Sequence, residues 1–426
     1  MPDALLGSPL LFAKLYRLDD TISNLSAGMM SVLMAVAFLK WSMLMYTALY
    51  AALAPARAWL LAATGLAVPA WLASLAAFPL VDLGYYWFHR RSHDVQLMWL
   101  GHGVHHSGQA YNLSTALRQG GFERLCSPLF FLHMALLGYP PATFQVCKAW
   151  HSVYQFWPHT DFLAGKLPAA VEFIFNTPKH HRVHHARNAA YLRKNFAGMF
   201  IAWDRLLGTF VEEDPVNDPC VYYQAAQPAT YNPLAEQVVH LGVVRREVAA
   251  QGSLPRMLKR LFIRPPQPVR TPHTEALNAG APPPRRAAAG DHALNAYVAS
   301  HFVLAMLAFL AADMVGSPRA RLALKAFVAL SLLSVGLLLD SWRRGRAVEL
   351  ARLALMGFGA MPLALECSGN VAAAFVAAAG GVMLAGFSAA ALWQYGFVVR
   401  APYELDSVTR VIGNVAYKLS KKTNGQ

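Results

Sequence analysis

Long apolar stretches separated by short polar ones dominate this chain. The first runs from about Ala27 to Ala54, with Lys40 as its internal charge, and the second from about Ala58 to Leu80. A helix needs about 20 apolar residues to cross the hydrocarbon core of a bilayer. The pattern therefore predicts two membrane-spanning helices. The second is expected to be kinked at Pro69 and Pro79 and to continue in helical form beyond Leu80 into the first histidine box.

Shorter apolar stretches follow. Phe122 to Gly138 and Pro141 to Trp157 are joined by Tyr139-Pro140, and proline at 141 suits the first position of a helix. This pattern predicts a helical hairpin whose arms are about as short as a spanning helix can be. The C-terminal half contains four further apolar stretches that predict spanning helices, at about Leu294–Ala312, Leu322–Leu339, Val348–Leu365 and Val371–Val399.

Shifts in composition divide the chain into five predicted segments. These are an interfacial N-terminal segment (1–26), a membrane domain with a polar cap (27–262), a flexible linker rich in Pro, Ala and Arg (263–292), C-terminal transmembrane helices (293–400) and a cytosolic tail (401–426). The predicted fold is all-α and polytopic. It has a four-helix membrane core, a cytosolic helical cap, and about four extra transmembrane helices at the C-terminus.

Composition supports a membrane protein and excludes several other classes. Apolar residues make up 56% of the chain and charged residues 14%, with a mean hydropathy of +0.32; soluble domains carry about 25% charged residues. The net charge of +14 is best explained by basic flanks of membrane helices. A nucleic-acid partner is not expected, because no basic motif with interleaved aromatic residues occurs. The four cysteines form no C-x-x-C pair, so we expect neither a disulfide framework nor a thiolate metal site.

Nine histidines fall into four short clusters. One cluster reads H-x-x-x-H and two read H-x-x-H-H, spacings that place the rings on one face of a helix. A single histidine follows Trp157-Pro158. The predicted metal ligands are His89 and His93; His102, His105 and His106; His159; and His181, His184 and His185.

The number of histidines indicates two metal ions, because one zinc ion takes about four ligands. No H-E-x-x-H motif occurs and no glutamate lies inside a box, so a hydrolytic zinc site is disfavoured. Nitrogen-rich sites suit iron, copper or zinc. Beside a membrane hairpin, two iron ions would suit activation of dioxygen and attack on a lipid C–H bond. Such chemistry requires two electrons from an external donor.

Other polar residues near the boxes have different expected roles. Asp82 shares a helical stripe with the first box, so we expect it either to accept a hydrogen bond from a ligand ring and serve the catalytic centre, or to be an interfacial charge. His180 lies off the register of the last box and is expected outside the ligand set. For His133 and His151 we expect hydrogen-bonded positions in the hairpin, and no catalytic role for His240, His273, His292 or His301.

Four stretches of sequence resemble one known family. They are FPLVDLGYYWFHRRSHD (Phe78 to Asp94), GHGVHHSGQAYNLSTALRQ (Gly101 to Gln119), QFWPHTDF through NTPKHHRVHHARN (Gln155 to Asn188) and KNFAGMFIAWDRLLGTF (Lys194 to Phe210). They resemble the fatty acid hydroxylase/sterol desaturase superfamily of membrane di-iron enzymes, and most of all its alkylglycerol monooxygenase branch. The resemblance covers roughly Ala27 to Tyr231.

The resemblance implies a glyceryl-ether monooxygenase that uses two irons, dioxygen and tetrahydrobiopterin, with the nine histidines as iron ligands. An acidic residue, usually glutamate, follows the first box in the family. Here it is Asp94, to which the resemblance assigns a catalytic and pterin-binding role. Four residues after the second box have matching positions and would line the pterin or lipid pocket, or else form hydrogen bonds within the cap: Asn112, Ser114, Thr115 and Arg118. Trp203-Asp204-Arg205 is expected to form a structural turn with an internal ion pair.

Three functions stay open on the sequence. The first is monooxygenation of the ether-linked carbon of an alkylglycerol, giving a fatty aldehyde and a glycerol derivative. The second is hydroxylation or desaturation of a sterol, carotenoid or fatty acyl chain with a cytochrome b5 or ferredoxin donor. The third is a non-catalytic metal-binding membrane protein. In each case the predicted topology places all four histidine clusters on the cytosolic face of a multi-pass membrane protein.

Overall fold

The computed structural model describes residues 16–65, 68–108, 110–222, 230–263, 292–368 and 371–395. The chain divides into two compact units, 1–285 and 286–426. Within the described ranges the regular elements are helices, accompanied by one isolated antiparallel bridge between Asp214 and Asp218. The prediction of an all-α fold is therefore confirmed for these residues. The predicted linker and tail fall mainly on residues outside them, as does most of the N-terminal segment.

The N-terminal half begins with three helices: α1 (Leu18–Ala52), α2 (Ala54–Thr64) and α3 (Ala70–Asp94). The second predicted helix forms two separate helices instead of one kinked helix, and the break ends at Pro69, one of the two predicted kinks. The α2 helix ends at Gly65, whose left-handed backbone (φ 64°) lets its N–H bond the carbonyl of Leu61 at 2.8 Å. A new helix starts after Pro69, which lies in an extended conformation. As a result, the first histidine box lies at the end of a separate helix that also contains Asp82.

The predicted hairpin has one irregular arm and one regular arm. Instead of a single helix over 122–138, the first arm consists of α6 (Glu123–Cys126), a 3-10 segment (Ser127–Phe131) and α7 (Leu132–Leu136). Pro128 lies at the start of the 3-10 segment and has no backbone N–H to donate. The second arm is the continuous helix α8 (Pro141–Tyr154), as predicted.

The hairpin packs against α1 and α3 in an apolar core. The Tyr46 ring stacks on Phe144 with centroids 4.5 Å apart and planes 7° apart, and its hydroxyl donates to the carbonyl of Tyr139 at 2.8 Å. Val81 and Phe131 are fully buried in the same cluster. Burial of such side chains contributes about 1.5–3 kcal/mol each, so this core fixes the helix that carries the first box.

The polar part of the first unit consists of short helices. They are α4 (Gln96–His105), α5 (Leu113–Leu117), α9 (Ala169–Ile174), α10 (Pro178–His185), a 3-10 turn (Ala189–Tyr191), α11 (Ala202–Leu206), α12 (Pro233–Ala249) and α13 (Leu254–Phe262). Buried polar contacts fasten α12 to α1. Glu236 accepts from the Ser23 hydroxyl at 2.6 Å, and the Gln237 amide donates to the carbonyl of Ala27 at 3.1 Å.

The second unit contains α14 (His292–Ala312), α15 (Pro318–Asp340), α16 (Trp342–Ser368) and α17 (Val371–Gln394). Among the described residues, three segments are long and apolar enough to cross a membrane: His292–Ala312, Pro318–Asp340 and Val376–Gln394. A cluster of buried polar side chains connects α14, α15 and α16. Glu349 pairs with Arg352 at 2.6 Å and accepts from the Ser334 hydroxyl at 2.7 Å, while Arg352 contacts Nδ1 of His301 at 2.8 Å. The pattern of apolar residues gave no indication of this cluster.

Candidate metal centre

The nine predicted ligands lie together and form two groups. Within each group the ligand atoms lie within 4.8 Å of one another, and every member is buried. The first group contains His89, His93, His102, His106 and His184, and the second contains His105, His159, His181 and His185.

Each H-x-x-H-H box contributes to both groups. On α4, His102 and His106 point to the first group and His105 to the second. On α10, His184 belongs to the first group while His181 and His185 belong to the second. Residues three and four apart share one helix face but differ in direction along it. The boxes thus bridge two adjacent sites instead of each serving one.

The spacing of the ring nitrogens fits metal coordination. In the first group, Nε2 of His106 lies 3.0 Å from Nε2 of His102 and 3.2 Å from Nε2 of His184. In the second, Nε2 of His159 lies 3.3 Å from that of His105 and 3.0 Å from that of His181. Two nitrogens bound at 2.0–2.1 Å to one ion lie roughly 3.0–3.4 Å apart. Such close lone pairs repel each other unless a cation or proton lies between them, so the donor set fits a metal ion.

The outer nitrogens of four ligand rings face backbone carbonyls. A carbonyl can only accept, so in each ring Nδ1 carries the proton and Nε2 is left with a lone pair for a metal. The pairs are His89 with Phe196 at 2.7 Å, His105 with Arg118 at 3.0 Å, His159 with Gln155 at 2.9 Å and His184 with Lys194 at 2.9 Å. Nε2 of His89 is buried and has no hydrogen-bond partner, which an ion in the first group would supply.

His102 differs because its outer nitrogen meets a carboxylate. Its Nδ1 lies 3.4 Å from Oε1 of Glu123 on α6. A close approach of the backbone makes this contact possible, since a Cβ at Gly101 would lie 2.4 Å from the Glu123 nitrogen and one at Gly120 would lie 2.1 Å from the Gly101 oxygen. The sequence analysis missed Glu123. An acidic residue at the start of an apolar hairpin was the available signal.

Asp82 supports the centre indirectly. Its carboxylate contacts Nε2 of His151 at 2.6 Å and accepts from the backbone N–H groups of Met199 and Phe200, each at 2.7 Å. The expected hydrogen bond to a ligand ring is therefore replaced by contacts to the segment that follows Phe196. Since Phe196 supplies the carbonyl for His89, Asp82 holds the backbone that orients a ligand.

Asp204 holds the other side of the same segment. It accepts from the N–H groups of Phe196 and Ala197, each at 2.8 Å, and from the Thr209 hydroxyl at 2.6 Å. Burial raises the pKa of Asp204 to about 6, against the opposing effect of these hydrogen bonds. The expected ion pair with Arg205 was wrong, because Asp204 faces backbone donors while Arg205 donates to the carbonyl of Phe173.

Burial also sets the charge of the histidine groups. It is the main cause that lowers the pKa of His105 to about 4 and of His184 to about 3, and neighbouring histidines lower both further. The pKa values of His106 and His159 lie well below the ordinary value for the same reasons. These four rings are therefore neutral near pH 7, so their lone pairs are available to bind cations.

The residues expected to bind a cofactor lie around the centre in two different settings. Asp94 is half-buried at the end of α3, with Arg193 at 3.5 Å, Arg91 at 3.7 Å and Arg90 at 4.0 Å. A carboxylate in this basic environment is accessible to a polar ligand. Whether it takes part in cofactor binding stays a prediction.

The residues after the second box make internal hydrogen bonds. The Asn112 and Thr115 side chains form a capping box on α5, and the Ser114 hydroxyl accepts from the Asn24 amide at 2.9 Å. Arg118 is buried, pairs with Glu236 at 3.1 Å and donates to the carbonyl of Val104 at 2.9 Å. These contacts agree with the alternative that the four residues hold the cap together.

The remaining histidines take other positions. His180 is buried outside both groups, where its Nδ1 accepts from the Thr177 N–H at 3.4 Å. His133 faces the carbonyls of Phe130 and Leu80, both at 3.0 Å. His273 lies outside the described residues.

A cavity of about 590 Å³ opens beside the two groups. Four histidines reach its wall: His102, His105, His159 and His181. Its apolar wall includes Met43, Tyr46, Phe88, Phe131 and Phe144, and its charged lining residues are Glu123, Arg124 and Lys148. The volume suits a small-molecule or lipid ligand, and its apolar wall suits an alkyl chain.

Comparisons with known proteins agree with this geometry. Residues 74–209 match the family model described as fatty acid hydroxylase. The chain is 35% identical over 296 residues to alkylglycerol monooxygenase of Danio rerio (67% of this chain, 64% of that protein) and 37% identical over 286 residues to that of Homo sapiens (65% and 62%). It is 30% identical over 139 residues to the ornithine lipid hydroxylase OlsE of Rhizobium tropici, covering 31% of this chain and 39% of that protein.

These alignments cover only part of the length of each relative. The aligned parts of the chain span slightly less than two thirds of the length of the alkylglycerol monooxygenases, 64% and 62% in the two cases above. No solved structure matches the chain significantly. The resemblance drawn from the histidine boxes is confirmed, and it includes all nine clustered histidines, since these lie within residues 74–209.

Proposed function

We propose that this protein is a di-iron membrane monooxygenase whose substrate is an ether lipid, since residues 74–209 match the fatty acid hydroxylase family model. The observation that carries the proposal is the convergence of nine buried histidines into two adjacent ligand groups. Two iron ions held there would supply the activation of dioxygen. The similarity to alkylglycerol monooxygenases supports the ether-linked carbon of an alkylglycerol as the position of attack.

The balance of the proposed reaction determines what the protein must supply. One oxygen atom enters the C–H bond next to the ether oxygen, and the other leaves as water with two electrons and two protons. The resulting hemiacetal then breaks to a fatty aldehyde and a glycerol derivative. Since imidazole ligands carry no reducing equivalents, an external donor is required, and we propose tetrahydrobiopterin.

The chain's own residues orient the ligands and the substrate. The carbonyls of Phe196 and Lys194 fix the rings of His89 and His184, and Asp82 with Asp204 holds that backbone. The apolar cavity wall would bind the alkyl chain and exclude water from the reacting carbon. Asp94 is the proposed contact for the pterin, because the resemblance assigns this role to the acidic residue that follows the first box.

We further propose that all four histidine clusters face the cytosol. The three apolar segments of the second unit support a multi-pass membrane protein. The basic residues Arg343, Arg344 and Arg346, which follow α15, support this orientation by the positive-inside rule. Accessibility of single cysteines to a membrane-impermeant thiol reagent, placed next to the cap and between α14 and α15, tests the sidedness.

Metal content and turnover test the proposal together. Detergent-purified protein should contain about two iron ions per chain, and it should cleave a pyrene-labelled alkylglycerol only when dioxygen and a tetrahydropterin are added. One zinc ion and no iron would overturn the di-iron centre. Iron-loaded protein that requires a ferredoxin or cytochrome b5, with no response to pterin, would overturn the proposed donor.

A second candidate function is hydroxylation of an acyl lipid. The 30% identity to an ornithine lipid hydroxylase over 139 residues favours it. It predicts a stable hydroxylated product instead of an aldehyde. Mass spectrometry of lipids extracted after turnover distinguishes the two, because only ether cleavage yields a fatty aldehyde.

A further inference from the structure

Two positively charged side chains and one carboxylate lie in the described lining of the cavity. The two cations are Arg124 on α6 and Lys148 on α8. Among the residues that the structure describes, neither side chain forms a hydrogen bond or an ion pair. The Lys148 ammonium instead lies 4.1 Å from the centroid of the Phe131 ring and 6.0 Å from that of Tyr85. Lys148 interacts favourably with the charge of Glu123 and unfavourably with that of Arg124.

This arrangement leaves the cavity with excess positive charge. A cation beside apolar walls is costly unless it is paired, and contact with an aromatic face offsets only part of that cost. Among the described lining residues the one carboxylate is Glu123, whose Oε1 is directed at Nδ1 of His102. One positive charge is therefore left in excess, and an anion beside Arg124 and Lys148 would balance it.

We infer that Arg124 and Lys148 bind the phosphate of an anionic ether lipid, such as a 1-O-alkylglycerol 3-phosphate, and so select it over the neutral alkylglycerol. The inference rests on the proposed function, since it names the headgroup of that substrate. A guanidinium binds phosphate through two parallel hydrogen bonds and an ammonium acts as a point charge. The alkyl chain lies against Met43, Tyr46 and Phe144, while the histidines at the cavity wall face the carbon between chain and headgroup.

Competition between two substrates tests the selection. Iron-loaded protein in neutral detergent micelles is given 1-O-hexadecylglycerol and its 3-phosphate, and kcat/KM is measured for each. The wild type should prefer the phosphate, and Lys148→Met and Arg124→Gln should each shift the ratio about tenfold or more towards the neutral lipid, the loss of one charged contact. Lys148→Arg should retain most of the preference.

A matched variant controls for loss of a lysine as such. Lys166 also lies over an aromatic ring, 4.6 Å from the centroid of Phe162, but it is exposed and outside the cavity lining. Lys166→Met should leave the substrate ratio unchanged. A ratio that is equal in the wild type, Lys148→Met and Lys166→Met would overturn the inference.

A binding measurement separates this inference from the proposed reaction. Metal-free protein is titrated with an acyl lysophosphatidate and with a monoacylglycerol, followed by tryptophan fluorescence, and the lysophosphatidate should bind about tenfold more tightly in the wild type only. If neither ether lipid is cleaved but this difference is found, the proposed reaction fails and the binding site stands. If discrimination occurs only in bilayers that contain anionic lipid and not in neutral micelles, the cations contact the bilayer and the inference is overturned.

Discussion

Glu123 lies beside the outer nitrogen of His102, with Oε1 3.4 Å from Nδ1. The other ligand rings with a described outer contact face backbone carbonyls. An imidazole whose Nδ1–H faces a carboxylate is a stronger electron-pair donor to a metal than one whose Nδ1–H faces a carbonyl. The negative charge of the carboxylate stabilises the proton on Nδ1. Among the described residues, the contact of a carboxylate with an outer ring nitrogen is found in the first histidine group, and Glu123 also lines the cavity.

Removing the charge at Glu123 should weaken metal binding in the first group. Glu123→Gln keeps the shape of the side chain, so we expect the iron content to fall from about two ions per chain towards one and turnover to fall about 10–100-fold. Metal analysis by mass spectrometry and absorption spectra of the loaded protein check this. Glu212→Gln, which removes an exposed carboxylate paired with Lys179, is the control. Full iron content and unchanged spectra in Glu123→Gln would contradict the assigned role.

Asp82 should contribute to stability as well as to the site. Its buried carboxylate accepts from two backbone N–H groups and contacts His151. An asparagine would turn an N–H₂ group towards one of these donors, so Asp82→Asn should lower the free energy of unfolding by about 2 kcal/mol. Thermal unfolding in detergent measures the loss. Asp214→Asn, at an exposed turn, should lower it far less; equal losses would show that Asp82 has no special role.

Asp94 should affect the pterin step without affecting the fold. It is half-buried among three arginines, and exposed or half-exposed ion pairs contribute little to stability. We expect Asp94→Ala to raise the KM for tetrahydrobiopterin about tenfold or more, and Asp94→Glu to retain a lower KM. The unfolding temperature and iron content should match those of the wild type. An unchanged KM for the pterin would remove Asp94 from the proposed cofactor site.

The sequence predicted which histidines lie together better than it predicted the helices that carry them. Spacing within the boxes identified eight of the nine, because i, i+3 and i+4 neighbours share a helix face, whereas His159 stands alone. It could not show that His105 joins a different group from His102 and His106. That grouping depends on where the histidines of α10 and His159 lie relative to α4 in the folded protein. Pro69 indicated a kink in the second helix, but hydropathy did not show that the helix ends completely at the left-handed Gly65.

The residues that support the site escaped detection for a related reason. Glu123, Arg124 and Lys148 are far from any box in sequence, and only the close approach at Gly101 and Gly120 brings Glu123 to His102. Charged residues in the apolar stretches 122–138 and 141–157 were the available signal. Asp82 was identified from its stripe on α3, but its partners come from Met199 and Phe200, more than a hundred residues later.

Asp204 should make stability fall as the pH rises through the range from about 4 to 6. Burial raises its pKa to about 6 from an ordinary value of 3.8, so the folded state favours the protonated carboxyl. The contribution is complete below the unfolded pKa and is lost as the pH rises through the folded one, about 3 kcal/mol in all. Asp204→Asn cannot titrate. The deficit of this variant relative to the wild type should therefore shrink between pH 4 and pH 6 in chemical denaturation, and a constant deficit would contradict the raised pKa.

The pair of Glu349 and Arg352 should govern the stability of the second unit. Both side chains are almost fully buried, and Arg352 also contacts Nδ1 of His301. Glu349→Gln leaves a buried guanidinium without its counter-ion, which costs about 3–5 kcal/mol. Hydrogen–deuterium exchange of peptides from α14 to α16 should therefore accelerate about a hundredfold or more. The double variant Glu349→Leu/Arg352→Met removes both charges, so its exchange should be much slower than that of Glu349→Gln. Similar exchange in the single and double variants would mean that the helices, and not the ion pair, determine the stability of this unit.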